Sequence, residues 1–176
     1  MNLFGLHHVS AIASSREDCI DFYGLLLGLD SVAEAGAGTL AFTADRARPG
    51  GVISFQVVPG VPRGTAGRGL VHRLQWAAPG PEALVSWRRR LEGAGVAVTA
   101  WLNGAGDPLA LRFADPDGLE HELTLGFAGG SRLRLTGVRA YAAASVQSGD
   151  LLAGRLGFSS CGEGQWLVGG RGEAAR

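Results

Sequence analysis

Two imidazoles and one carboxylate are the side chains of this sequence best suited to chemistry: His8, His72 and Glu122 stand at corresponding strand positions of a repeated unit. Two histidines and a carboxylate bind one face of iron(II) and leave the opposite positions open, and the same donors also suit zinc, nickel or manganese. If two repeats pack as pseudo-symmetric halves of a curved sheet, all three side chains point into the shared cleft. Taken singly, a strand histidine is ordinarily a hydrogen-bonded structural residue and a strand glutamate a solvated one. Their joint occurrence at equivalent positions is what favours a metal. Along the last strand of the second unit, alternation puts Glu120 and Glu122 on one face and His121 on the other. His7 stays open as an alternative to His8, because a slip of one residue exchanges them.

The elements that must position these residues read as strand, helix and three further strands, repeated. In the first unit, 6–13 predicts a strand. Ser15 caps a helix whose apolar Cys19, Ile20, Tyr23 and Leu26 or Leu27 recur every three or four residues, and Gly28 ends it. Strands follow over 39–43 and 52–58, joined by a turn at 46–50. A linker over 59–69, with Pro62, Gly64 and Gly67, leads to the second unit. There 71–76 predicts a strand, and Pro81 opens a helix with Leu84, Trp87 and Leu91 on one face. Strands at 96–101, 110–113 and 119–125 complete it, the last two joined by the Asp115-Pro116-Asp117-Gly118 turn. A third unit offers a strand at 133–141, a helix near 146–156 and a strand at 164–168. Its register is set because Leu156 lies as far from Gly137 as Leu27 lies from His8, 19 residues each. The domain reading is 1–60, 66–128 and an incomplete unit over 133–176.

Sixteen basic residues balance sixteen acidic ones, which removes the electrostatic footprint of a nucleic-acid or anionic-membrane binder. Arg88-Arg89-Arg90 then reads as a solvated helix face. Cys19 and Cys161 have no metal-binding or disulfide spacing, and no signal peptide or membrane span is legible; both point to a soluble, cytoplasmic protein. The expected partners are a small-molecule substrate and a second copy, since an unfinished third unit leaves a sheet edge that a homodimer would cover. The tail, Gly169-Gly170-Arg171-Gly172-Glu173, is expected to fray.

His8-Val9, Phe22-Tyr23, Leu27-Gly28-Leu29 and Asp115-Pro116-Asp117-Gly118, with Glu122 four residues after the glycine, together resemble the vicinal oxygen chelate superfamily over residues 1–128. That superfamily includes glyoxalase I, extradiol ring-cleaving dioxygenases and bleomycin-resistance proteins. The resemblance implies an α+β fold of paired βαβββ modules, forming a curved mixed sheet around a cleft with helices outside. It also implies His8, His72 and Glu122 as metal ligands. The family's metal histidine stands fourteen residues before the phenylalanine of the Phe-Tyr pair, which selects His8 over His7.

The opening LHHVSAIA and the start of a third module are most similar to ring-cleaving dioxygenases built from four modules. The implied function is iron(II)-dependent, extradiol-type cleavage of a catechol- or hydroquinone-like aromatic, with Phe55, Trp76, Trp101 and Phe113 lining the cleft. Such enzymes commonly carry a tyrosine on the strand before the final turn, where this chain has Leu111, Arg112 and Phe113. Arg112 is the candidate catalytic residue, holding an anionic substrate but ill-suited to carrying a proton because it stays charged. Two alternatives stand beside this reading. One is a glyoxalase I-like isomerase or lyase, in which Gln56 occupies the fourth ligand position. The other is a metal-free ligand-binding or resistance protein.

Overall fold

Ser15 accepts a hydrogen bond from the amide of Asp18 and so starts α1 (Arg16–Cys19), which follows β1 (His8–Ala13) and runs on as π-helical turns over Ile20–Leu26. The wide turns carry Phe22 and Tyr23 inward, where both are buried. The helix closes when the Leu27 amide bonds to the Phe22 carbonyl at 2.8 Å and Gly28 takes φ +67°, a conformation that a Cβ would strain. Strands β2 (Asp30–Val32), β3 (Thr39–Thr43) and β4 (Val52–Val57) complete the first unit. Its sheet has the order β1-β4-β3-β2, with β1 parallel to β4.

The second unit repeats the plan. It comprises β5 (Val71–Ala78), α2 (Pro81–Gly93), β6 (Thr99–Leu102), β7 (Pro108–Ala114) and β8 (Glu120–Leu125). The third contributes β9 (Arg134–Ala140), α3 (Ser145–Asp150) with π-helical turns over Leu151–Arg155, and the hairpin of β10 (Ser159–Gly162) and β11 (Gln165–Leu167). The computed structural model describes residues 5–32, 38–47, 51–126, 132–142, 144–162 and 164–168. Part of the expected turn at 46–50, the boundary glycines at 128–130 and the tail from Gly169 to Glu173 lie outside these residues.

The sequence expectation pairs the first unit with the second; in the structure the second pairs with the third. The second sheet runs β6-β7-β8-β5-β9, with β5 parallel to β8 and antiparallel to β9. On β1, by contrast, the only ladder among the described residues is the one to β4. This choice of partner decides where every candidate ligand points.

Between the two sheets lies a helical layer. Tyr23 packs against Phe42 and Phe55 of the first sheet and against His121 of the second, while Phe22 meets Phe113 and His121. Leu84 and Leu91 of α2 are fully buried, and Arg90 donates to the Leu25 carbonyl, so the helices of the two units touch. Each large side chain in this layer contributes about 1.5–3 kcal/mol by leaving water. Both sheets therefore have an inner face against the helices and an outer face away from them. On β1 the inner positions are Val9, Ala11 and Ala13, and the outer ones His8, Ser10 and Ile12. No helix among the described residues is long and apolar enough to cross a membrane.

Candidate functional site

Glu122 takes its direction from strand alternation on β8. Its neighbours His121 and Leu123 are inner residues buried to within 1% of full, so Glu122 projects from the outer face together with Glu120. His8 projects from the outer face of the other sheet, with Nε2 2.7 Å from the Ser54 hydroxyl. The helical layer separates the two. His72 lies at an irregularity in β5: Val71 pairs with Ala140 and Arg73 with Arg139, leaving His72 as the extra residue of a bulge. Its ring stacks on Tyr141 at 4.1 Å, and its Nδ1 stands 3.9 Å from Glu120.

The structure thus brings His72 to the neighbourhood of Glu120 but does not bring His8, His72 and Glu122 into one cluster. Among the described residues no group of three His, Cys, Asp or Glu is placed to hold a metal. The shared cleft expected of units one and two is absent because β5 gives its edge to β9 rather than to β1.

What surrounds Glu122 is cationic. Its Oε2 accepts from Arg73 and Arg112 at 3.2 Å each, and its Oε1 from Gln75 at 3.0 Å and Arg139 at 3.4 Å. Arg73, itself buried, also holds Glu120 through Nε at 2.8 Å and Nη2 at 2.6 Å. Burial pushes the Glu122 carboxyl up, but the bonds from Gln75 and Arg112 and the charges of Arg139 and Arg73 outweigh it and hold the group below its ordinary range. His72 is pushed down, first by burial and then by Arg73. A divalent cation at Glu122 would replace guanidinium partners and then face three of them, so these residues do not fit a metal. Arg112 stacks its guanidinium over Trp101 at 4.6 Å, and its Nε is shielded from solvent with no acceptor. An orphaned donor of this kind costs about 1–3 kcal/mol.

The other expected site residues divide between the faces. Phe55, Trp76 and Phe113 are core residues of the inner layer, buried to within 4% of full. Trp101 is exposed on the outer face beneath Arg112. Gln56 is exposed and bonds to Thr39 and the Gly38 carbonyl. Sequence reasoning missed Arg73, Gln75, Arg139 and Tyr141. The signal for the first two was present: Arg73 and Gln75 are spaced by two on β5, as Glu120 and Glu122 are on β8, and the strands align them one against one.

The inner face carries a second polar group of residues. Trp76 Nε1–H donates to His121 Nδ1 at 3.0 Å, which leaves the ring proton on Nε2, 3.1 Å from the Tyr23 oxygen. Tyr23 in turn donates to Asp115 Oδ2 at 2.7 Å. Burial drives His121 down to about 3, so it is neutral, and burial raises Asp115. This relay joins the helix of unit one to the sheet of unit two.

Comparison with known proteins places this architecture. Residues 5–123 match the family described as the Glyoxalase/Bleomycin resistance protein/Dioxygenase superfamily. The chain is 31% identical over 130 residues to the Bacillus subtilis (strain 168) protein named "Putative ring-cleaving dioxygenase MhqA", a match covering 70% of this chain and 41% of that protein. It is also 31% identical over 125 residues to "Putative ring-cleaving dioxygenase MhqO" of the same organism, covering 68% and 39%. The chain therefore spans about two fifths of the length of these curated relatives. A crystal structure described as a putative dioxygenase from Bacillus subtilis superposes with a TM-score of 0.77 at 26% identity, over 92% of this chain and 57% of that one. A glyoxalase/dioxygenase from Nostoc punctiforme shares the fold, with a TM-score of 0.57 at 18% identity over 69% and 90%. With well over half of its length matched by that family, the chain belongs to the glyoxalase/bleomycin resistance/dioxygenase superfamily.

Proposed function

We propose that the chain serves an extradiol-type ring-cleaving dioxygenase acting on a catechol- or hydroquinone-like aromatic. One observation carries the reading. The likeness to the crystal structure described as a putative dioxygenase from Bacillus subtilis extends over 92% of the chain and so takes in the third unit. The relatives named as ring-cleaving dioxygenases support it at 31% identity.

His8 is the donor the chain offers to a divalent metal, iron(II) before zinc, nickel or manganese. It is exposed at the start of β1, on the outer face and beside the edge of that strand that carries no ladder among the described residues. In this arrangement His72 and Glu122 belong to the other sheet and do not share an ion with it. A homodimer joined along β1, in the antiparallel manner of β5 and β9, would set the His8 rings of two copies across one seam.

The test is iron content by elemental analysis after anaerobic loading, together with oxygen uptake on catechol and hydroquinone. His8→Ala is expected to lose both iron and oxygen uptake, and Glu122→Gln to keep its iron. A wild-type chain that takes up no iron, or a His8→Ala chain that consumes oxygen at the wild-type rate, overturns the reading. The metal-free binding alternative draws its support from Glu122, whose two oxygens are taken by four donors.

A further inference from the structure

We propose that the outer face of the second sheet is a metal-independent binding site for a small aromatic carboxylate, held between Arg112 and Arg139. The site stands apart from His8 and does not rest on the ring-cleavage reading.

Charge is the first argument. Three guanidinium groups, Arg73, Arg112 and Arg139, share two carboxylates, Glu120 and Glu122, which leaves one positive charge unmatched in the cluster. The surplus is not spread evenly. Arg73 is buried and engaged with both carboxylates, two of its bonds being 2.8 Å or shorter. Arg112 and Arg139 each reach Glu122 through Nη2 alone, at 3.2 and 3.4 Å, and their side chains are 33% and 45% exposed. They are the cations with donors to give.

Geometry is the second. The side chain of Arg112 is a third exposed, so a carboxylate approaches it from that exposed part and not at Nε, which is shielded from solvent and from a ligand alike. Trp101 lies flat against that guanidinium and fixes its plane. On β9, Gly137 stands opposite Gln75, and a Cβ there would come within 3.0 Å of the Gln75 side-chain oxygen, so the glycine leaves room for the amide that donates to Glu122. The exposed rings of Trp101 and Tyr141 flank the charged row, Tyr141 stacked on His72 and Trp101 under Arg112. An aromatic acid suits such a face better than a bare anion, since its ring has apolar surface to cover at either end.

Glu122 has a definite part in this site. It competes with the ligand for Arg112 and Arg139, which makes the test sharp. Calorimetric titration of the full chain with benzoate, at low ionic strength and in the presence of a chelator, is expected to show saturable binding that weakens with salt. Arg112→Gln and Arg139→Gln should each weaken it at least tenfold, and Glu122→Gln should tighten it severalfold. Circular dichroism melts confirm that each variant is folded, and Arg139→Gln, at a half-exposed position, gives a reading if Glu122→Gln does not fold. Absence of benzoate binding, unchanged binding in both arginine variants, weaker binding in a folded Glu122→Gln, tighter binding of inorganic phosphate than of benzoate, or a requirement for added iron or zinc would each overturn the proposal. Because oxygen uptake by His8→Ala reads the first sheet, failure here and failure of the dioxygenase reading are separate results.

Discussion

His121 and Glu122 are consecutive residues of β8, and they sit in opposite kinds of polar environment. On the inner face, every polar atom of the Trp76–His121–Tyr23–Asp115 relay meets one partner of the right kind, and the ring is neutral. On the outer face charge is abundant and acceptors are oversubscribed, with one carboxylate serving four donors and an arginine nitrogen left without any. A matched network in a dry layer is stiff and holds two sheets together; an unmatched one at a surface can exchange partners. The first is a fastening and the second is where a ligand finds something to do.

The contrast breaks most readily at the ring. His121→Ala opens a cavity among Trp76, Phe22 and Phe113 and orphans the Trp76 N–H, and is expected to cost about 3–5 kcal/mol in urea unfolding. A loss below 1 kcal/mol would mean that the relay is not a fastening. Next comes pH. His121 titrates near 3 in the fold against an ordinary 6.5, so between those values the unfolded chain binds the extra proton and folding stability falls as pH falls. From pH 7 to pH 5 this amounts to about 2 kcal/mol, and the slope should flatten in His121→Gln; a slope of the opposite sign would contradict a neutral buried ring. The smallest effect belongs outside. Glu122→Gln should cost only about 1–2 kcal/mol, because Arg112 and Arg139 can turn to water. Adding Arg139→Gln should recover part of it in a double-mutant cycle.

Most of the architecture was legible in the sequence for local reasons. Ser15 does cap the first helix, Pro81 does open the second, Thr39–Thr43 is the strand its alternation predicts, and the face separation of His121 from Glu122 follows from a period of two. The three-residue β2 has too few positions to show a period, and β6 begins at Thr99 rather than 96 because Val96 and Val98 pack against the core before the ladder starts. The site was less legible because it depends on a choice between partners. Whether the edge of β5 takes β1 or β9 is not written in either strand, yet it moves Glu122 from a shared cleft to a face of its own. The aromatic residues failed for a related reason. Phe55, Trp76 and Phe113 have the composition of a ligand wall, but a chain of this size needs the same residues for the layer between its sheets.

Tyr23 and Asp115 are 92 residues apart, as Ser14 and Asp117 are 103 apart, and each pair joins the first repeat to the second. The sequence period and the folding unit are therefore different things. A fragment cut in the 59–69 linker would carry a complete strand-helix-strand pattern and still present Phe22 and Tyr23 to water, along with the open side of the first sheet. Duplication has supplied this molecule with repeats that cannot be handled as interchangeable blocks: grafting, shuffling or expressing one of them alone severs the layer in which both are buried.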